Sequence, residues 1–150
     1  MKKLILIILL FTLTSCGYSP IYKDIDTKDI RIKIKDMSGD KNFNNILKLQ
    51  LSEYLNREDG YEYQMSFHST YSKTDYAKDA TGKASEFELN VTINFTVEFG
   101  AKIRTFLINE KFYTNSSDDK FKQKNYEETI QKNFATAIKD QLILRLSTIQ

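Results

Sequence analysis

The chain is short of the residue types that build cross-links and reactive sites. It has one cysteine, one proline, one histidine and no tryptophan. A single cysteine excludes an internal disulfide, so the hydrophobic core alone must stabilise the fold. The one histidine, His68, has no second histidine or cysteine with which to form a zinc site. No phosphate-binding glycine loop, dinucleotide fingerprint or G-x-S-x-G motif is present. We therefore expect no enzymatic activity, no metal and no cofactor.

The first fifteen residues, MKKLILIILLFTLTS, have the three parts of a secretory signal: two lysines, an apolar run and small polar residues. The apolar run covers about half of a bilayer core, which favours a cleaved signal at 1–15 over a transmembrane helix. Without the two lysines, 20 basic residues balance 20 acidic ones. A domain without a basic excess lacks the attraction that phosphate backbones require, so we expect no nucleic acid partner.

The lone cysteine, Cys16, follows this segment directly. Leu13-Thr14-Ser15-Cys16 resembles the lipobox of bacterial lipoproteins. The resemblance implies that a diacylglycerol is attached to the thiol, that the signal is removed and that the new amine is acylated. Several acyl chains anchor a protein firmly, because each buried methylene contributes about 0.8 kcal/mol. Gly17 follows, where inner-membrane lipoproteins often carry Asp, which implies the outer membrane. An ordinary secretory cut that leaves a free thiol is the alternative.

Hydrophobic periodicity predicts one α+β domain over 29–150, preceded by a lipidated N-terminus and linker at 16–28. Alternation of apolar and polar residues predicts four strands, and apolar residues three and four apart predict two helices. The strands are expected at 30–35, 61–71, 87–99 and 102–115, and the helices over 41–58 and from Asn125 to the C-terminus, or from one turn earlier, after Ser117 or Asp118. Glu127 and Glu128 are assigned to the N-terminus of the last helix.

The element order strand, helix, three strands, helix predicts a two-layer sandwich. In it, two helices pack on one face of a four-stranded, mostly antiparallel sheet. The first strand could pair at either edge of the other three. The segment from Ser72 to Ser85 is rich in small and polar residues and predicts a long hairpin loop. Near Asn109 the alternation changes phase, which indicates either a bulge or a strand partly covered on both faces.

The segment after the cysteine carries a second resemblance. Cys16-Gly17-Tyr18-Ser19-Pro20-Ile21-Tyr22 resembles the C-G-[FY]-x-P-[LI]-Y start of the LPS-assembly lipoprotein family (LptE), especially its alphaproteobacterial-like members. Weaker matches lie at 81–85, at 112–115 and in the last helix. Glu86 stands where many relatives have Arg, so no basic contact is implied there.

This resemblance implies a non-enzymatic lipoprotein of the outer membrane. Members of the family sit inside and stabilise the β-barrel translocon that inserts lipopolysaccharide into the outer leaflet. The resemblance also leaves lipopolysaccharide itself open as a ligand. An accessory or scaffold lipoprotein of another envelope machine, such as the barrel-folding complex, is the alternative function.

One face of the predicted sheet is polar but nearly uncharged, which is unusual for a strand face in water. We expect this face and the neighbouring hairpin to contact the barrel, because the inner walls of outer-membrane barrels are also polar. Plain solvent exposure is the alternative. The candidate residues on this face are Gln64, Ser66, Thr70, Asn90, Thr92, Asn94 and Thr96, with His68 among them. The lysines and arginine near the turns are interpreted as solvated side chains: Lys73, Lys78, Lys83, Lys102 and Arg104.

We predict that Cys16→Ala blocks maturation and abolishes incorporation of radiolabelled palmitate, measured together with membrane fractionation, because the thiol is the attachment point of the lipid. The domain itself should still fold, since none of its apolar stripes depends on the anchor. Unchanged palmitate labelling in the variant would contradict the lipoprotein interpretation.

Overall fold

The computed structural model of the protein describes residues 29–149. The signal at 1–15, Cys16 and the linker at 16–28 lie outside the described residues, so the predictions made for them stay predictions. Along the described chain the elements are β1 (Ile30–Gly39), α1 (Lys41–Gln50), α2 (Ser52–Leu55), β2 (Tyr61–Lys78), β3 (Ala84–Phe99), β4 (Lys102–Asn115) and α3 (Lys120–Ser147).

The four strands form one sheet in the order β1-β2-β3-β4. Strands β2, β3 and β4 are an antiparallel meander, and β1 pairs with β2 in parallel. The parallel pair requires a crossover connection, which α1 and α2 provide. The predicted α+β sandwich with a mostly antiparallel sheet is confirmed, and β1 takes the edge next to β2.

All helices pack on one face of the sheet, where the core lies. The inward side chains of the two central strands are fully or almost fully buried against helical residues such as Phe43, Leu47, Ile138 and Leu142. Tyr63 links the two layers, because its ring stacks on Phe99 at 4.7 Å and its hydroxyl donates to the Leu146 carbonyl at 3.2 Å. The buried strand residues follow the predicted alternation: Tyr63, Met65 and Phe67 on β2, and Leu89, Val91, Ile93, Phe95 and Val97 on β3.

The first helical segment is shorter and more broken than predicted. Residues 41–58 were expected to form one helix, but α1 ends at Gln50 and α2 covers only Ser52–Leu55. At the junction Leu51 has a ψ of −1°, and its carbonyl accepts from the Tyr54 amide three residues on at 2.9 Å as well as from the Leu55 amide at 3.1 Å, so the turn tightens there.

The last helix begins at Lys120, and the predicted start at Asn125 is wrong. The Asp119 carboxylate accepts from the backbone amides of Phe121 and Lys122, both at 3.0 Å, which makes Asp119 the cap. The earlier start left open by the sequence is therefore correct. Glu127 and Glu128 lie inside α3, two turns from its N-terminus, so their assignment to the helix start is also wrong.

The predicted long loop from Ser72 to Ser85 is mostly strand. β2 continues to Lys78 and β3 begins at Ala84, which leaves a connection of residues 79–83. The Asp79 carboxylate accepts from the amides of Thr81 at 2.8 Å and Lys83 at 3.1 Å and holds this turn. Both faces of the hairpin are polar near its tip, so the sequence there has no apolar alternation that would reveal the strands.

We predict that Gly39→Ala destabilises the fold by about 3 kcal/mol or more. Gly39 has a φ of +91°, and a β-carbon there would lie 1.9 Å from the Ser69 carbonyl oxygen. Gly82→Ala is the matched control, since Gly82 has a φ of +82° but no atom within 4 Å of an added β-carbon; its cost should be only about 1 to 2 kcal/mol. Urea unfolding measures both. Equal losses of unfolding free energy in the two variants would show that the close contact at Gly39 does not add to the destabilisation.

Candidate functional site: the open face of the sheet

The face of the sheet opposite the helices is defined here as the open face. Cross-strand register brings the predicted polar residues together on it: Ser66 lies opposite Thr96, His68 opposite Asn94, and Thr70 opposite Thr92. All seven candidate residues therefore share one face, with Gln64 at one end of the row and Asn90 at the other. His68, Thr70 and Asn94 are exposed, and the other candidates are half-buried between their neighbours.

Asn109 on β4 joins several of these side chains. Its amide donates to the Asn90 side-chain oxygen at 2.6 Å, the Thr92 hydroxyl at 2.8 Å and the Val91 carbonyl at 3.1 Å. Asn109 was not predicted as a site residue. The network links β3 and β4 at the centre of the open face through uncharged groups, and its hydroxyls and amides still have hydrogen-bonding capacity.

Three ion pairs lie around this neutral centre. Their side chains are Arg31 and Glu62 at 2.7 Å, Lys35 and Glu98 at 3.0 Å, and Lys111 and Glu88 at 3.2 Å. The first and third pairs join neighbouring strands, whereas Lys35 on β1 reaches across β2 to Glu98 on β3. Part-exposed pairs of this kind contribute little stability, but they neutralise one another, so a partner that covers the face need not supply countercharges for them.

The outer strand β4 presents apolar side chains on the open face. Ile103 is 62% exposed and Leu107 is 56% exposed. The register between β3 and β4 has no shift from Lys102 to Asn115, so the phase change near Asn109 is not a bulge. No described element covers these two side chains either. The bulge is therefore wrong, and within residues 29–149 no second layer covers the strand: the change marks apolar residues on an exposed face.

Tyr113 forms the end of the open face near the hairpin. Its ring lies 4.5 Å from that of Tyr76, and its hydroxyl donates to Glu88 at 3.0 Å. This hydrogen bond, with a second from Lys111, lowers the pKa of the Glu88 carboxyl. The same bond raises the pKa of the Tyr113 hydroxyl. Glu88 therefore stays ionised at the edge of the face at any ordinary pH.

The sole histidine has a structural neighbour on the open face. The Ser38 hydroxyl lies 3.0 Å from His68 Nδ1.

Among residues 29–149, no three histidine, cysteine or acidic side chains converge as metal ligands. None of the helices described for those residues has the length and apolar character needed to cross a bilayer.

The basic residues near the turns do not form one cluster. Lys83 pairs with Asp118 at 2.6 Å, and Lys73 pairs with Glu127 at the same end of the molecule. The bond to Lys83 lowers the pKa of Asp118, and Lys83 has its own pKa raised in return. Lys102 and Arg104 begin β4 at the opposite end of the sheet. These side chains are exposed, as predicted, but those at the hairpin end are ion-paired: Lys73 with α3, Lys83 with the segment before α3, and Lys78 with Asp75 of its own strand.

No protein-family model matches the chain. No curated protein matches it in sequence.

Solved structures share the fold. Rare lipoprotein B from Shewanella oneidensis is 15% identical with a TM-score of 0.58, over 76% of this chain and 95% of that one. Lipoprotein B from Nitrosomonas europaea is 15% identical with a TM-score of 0.55, over 79% of this chain and 86% of that one. A chain named as a lipoprotein from Caulobacter crescentus CB15 is 16% identical with a TM-score of 0.54, over 77% of this chain and 88% of that one. At these identities the likeness establishes the fold, which this chain has in common with bacterial lipoproteins.

We predict that Tyr113→Phe raises the pKa of Glu88 toward its ordinary value of 4.5, because the first of the two bonds that lower it is lost. Carbon-detected NMR titration of the Glu88 carboxyl measures the change. In the unaltered protein the folded-state pKa lies below the unfolded one. The bond therefore adds stability above pH 4.5, and this contribution is lost as the pH falls through the folded-state value.

Tyr76→Phe is the matched control for that titration. It keeps the ring contact with Tyr113 and leaves the hydroxyl that bonds Glu88 in place. An equal rise in both variants, or in neither, would show that the Tyr113 hydroxyl does not set the pKa.

Proposed function

We propose that the protein is a lipid-anchored, non-enzymatic lipoprotein of the outer membrane whose open face binds the β-barrel translocon that inserts lipopolysaccharide into the outer leaflet. Two observations support the identity of this partner. The segment Cys16 to Tyr22 resembles the start of the LPS-assembly lipoprotein family, and the domain shares its fold with solved bacterial lipoproteins.

The open face is the observation that carries the proposal. No described element covers it, and its centre consists of neutral hydroxyl and amide groups with apolar side chains beside them. Neutral polar groups can be buried at little cost when the opposite surface offers hydrogen bonds, whereas unpaired charges cannot. The lumen wall of an outer-membrane barrel is polar and supplies such bonds.

The extent of the face suits a specific complex. A standard interface buries about 800 Å² on each partner. Three long strands, each with 14 or more residues, contribute to the open face. At about 3.3 Å per residue each strand extends for more than about 45 Å, so the face offers ample area for such an interface.

The anchor would keep the domain close to the membrane. Lipidation of Cys16 would leave residues 17–29 between the lipid and β1, and even fully extended they reach only about 45 Å. The start of β1 would therefore stay within that distance of the inner leaflet, where the periplasmic side of a barrel lies.

Photo-crosslinking tests the proposal. We predict that a photoreactive amino acid at Asn94, which is exposed on the open face, crosslinks to the lipopolysaccharide-inserting barrel in cells, because the two surfaces are in contact. Lys132, exposed on α3, is the matched control and should give no such product. Thr92 provides a second position on the open face. Mass spectrometry identifies the crosslinked partner.

The outcomes separate the candidate functions. Crosslinks from Lys132 to the barrel with none from Asn94 would show that the helical layer is the contact surface. Crosslinks from Asn94 to the barrel-folding complex would support the accessory lipoprotein instead. An absence of crosslinks from either strand position would mean that the open face is simply solvated.

A further inference from the structure

The two edges of the sheet are protected to different degrees. At the β1 edge, the register shifts between Ile34 and Asp36, the strand carries Lys33 and Lys35, and side chains donate to two of its carbonyls. Arg57 donates to Ile30 at 3.4 Å and Asn44 to Ser38 at 3.0 Å. A bulge, lysines and covered carbonyls are the usual means by which proteins prevent an edge from pairing.

The β4 edge has few of these protections. β4 runs for 14 residues without proline, glycine or a register shift, and no described strand lies on its outer side. Its middle, Thr105-Phe106-Leu107-Ile108-Asn109, contains no charge. A long, regular edge with an uncharged middle is a template for another strand, because its outward N–H and C=O groups have no partner in the sheet.

The sequence of β4 is complementary to itself. If two β4 strands pair antiparallel around Leu107, Arg104 of each copy lies opposite Glu110 of the other, and the two Leu107 side chains face each other. Registers centred on Phe106 or Ile108 would instead place Arg104 opposite Ile108 or Phe112. The central register therefore forms two ion pairs and one apolar contact at the same time.

The environment of these residues supports that register. Gln141 donates to one oxygen of Glu110 and leaves the second oxygen available. Arg104 is exposed and has no ion-pair partner in the part of the chain from 29 to 149. Leu107, more than half exposed in the single chain, would be covered by its own copy.

We infer that two copies of this protein associate through their β4 edges, antiparallel and centred on Leu107, to form a continuous eight-stranded sheet. The two-fold axis is perpendicular to the sheet, so both open faces point the same way. Anchoring in one membrane would raise the effective concentration of the two chains and favour the pairing. The inference does not depend on the identity of the barrel partner.

Cysteine crosslinking of the full-length chain in its own membrane tests this register. In the central register residue 107 is the only position that faces itself, with β-carbons about 4.5–5.5 Å apart, which is within reach of a disulfide or a short bismaleimide. Two copies of residue 105 would be about 13 Å apart along the strands. We expect Leu107→Cys to give roughly tenfold more crosslinked dimer than Thr105→Cys or Lys132→Cys, judged against the unaltered chain as background.

Charge reversal gives a second measurement in the Leu107→Cys background. Arg104→Glu should reduce the yield of crosslinked dimer, because two acidic side chains would then face each other across the interface. Adding Glu110→Arg should restore it, since the pairs are re-formed with opposite orientation. Lys132→Glu, the same charge change far from β4, should leave the dimer unchanged.

Two outcomes would overturn the inference: no dimer from Leu107→Cys, or equal dimer from positions 105, 107 and 132, which would indicate random collision. Neither outcome bears on the crosslinks from Asn94 to a barrel, so the two proposals can fail separately.

Discussion

Burial of one set of side chains, on alternate positions of β2 and β3, is the constraint on which the rest of the structure depends. These residues form the side of the core that the sheet provides, and they run from Tyr63 to Phe67 and from Leu89 to Val97. With no disulfide available to the domain, removal of this apolar surface from water must provide most of the stabilisation, at about 1.5 to 3 kcal/mol for each large side chain. Because side chains alternate along a strand, the same constraint turns every intervening residue toward the open face.

The open face is thus a consequence of the core as well as a candidate binding surface. Its residues are free to vary as long as they remain compatible with water or with a partner. In this chain its centre is a network of hydroxyls and amides joined by Asn109. Charges appear mainly as ion pairs between strands of the sheet. That composition fits a surface that is buried against polar neutral groups better than it fits one that must repel other proteins.

Sequence periodicity predicted the elements that contain both an apolar and a polar face. The alternation in β3 and the apolar spacing of α3 identified the core residues, and with them the polar residues of the open face. Prediction failed where that contrast is absent. The hairpin tip is polar on both faces, so its strands were interpreted as loop. The start of α3 is set by a capping carboxylate, Asp119, rather than by an apolar stripe.

Prediction failed at the apolar residues of β4 for a different reason. The phase change near Asn109 was explained by a bulge or by a second covered face. The structure instead places Ile103 and Leu107 on an exposed face of the strand. Only the register of the sheet shows that they belong to the open face and to its outer edge. A phase change within an otherwise regular strand can therefore arise from apolar residues on an exposed face.

Hydroxyl-radical footprinting of the lipidated chain tests most directly whether the open face is the covered face. The comparison is between the chain in its native outer-membrane complex and the same chain purified alone. The account predicts that oxidation of His68 and Tyr113, on the open face, falls in the complex. Oxidation of Leu49 and Phe121, both 73% exposed on the helical elements, should stay unchanged. Protection of Leu49 and Phe121 with no change at His68 and Tyr113 would contradict it.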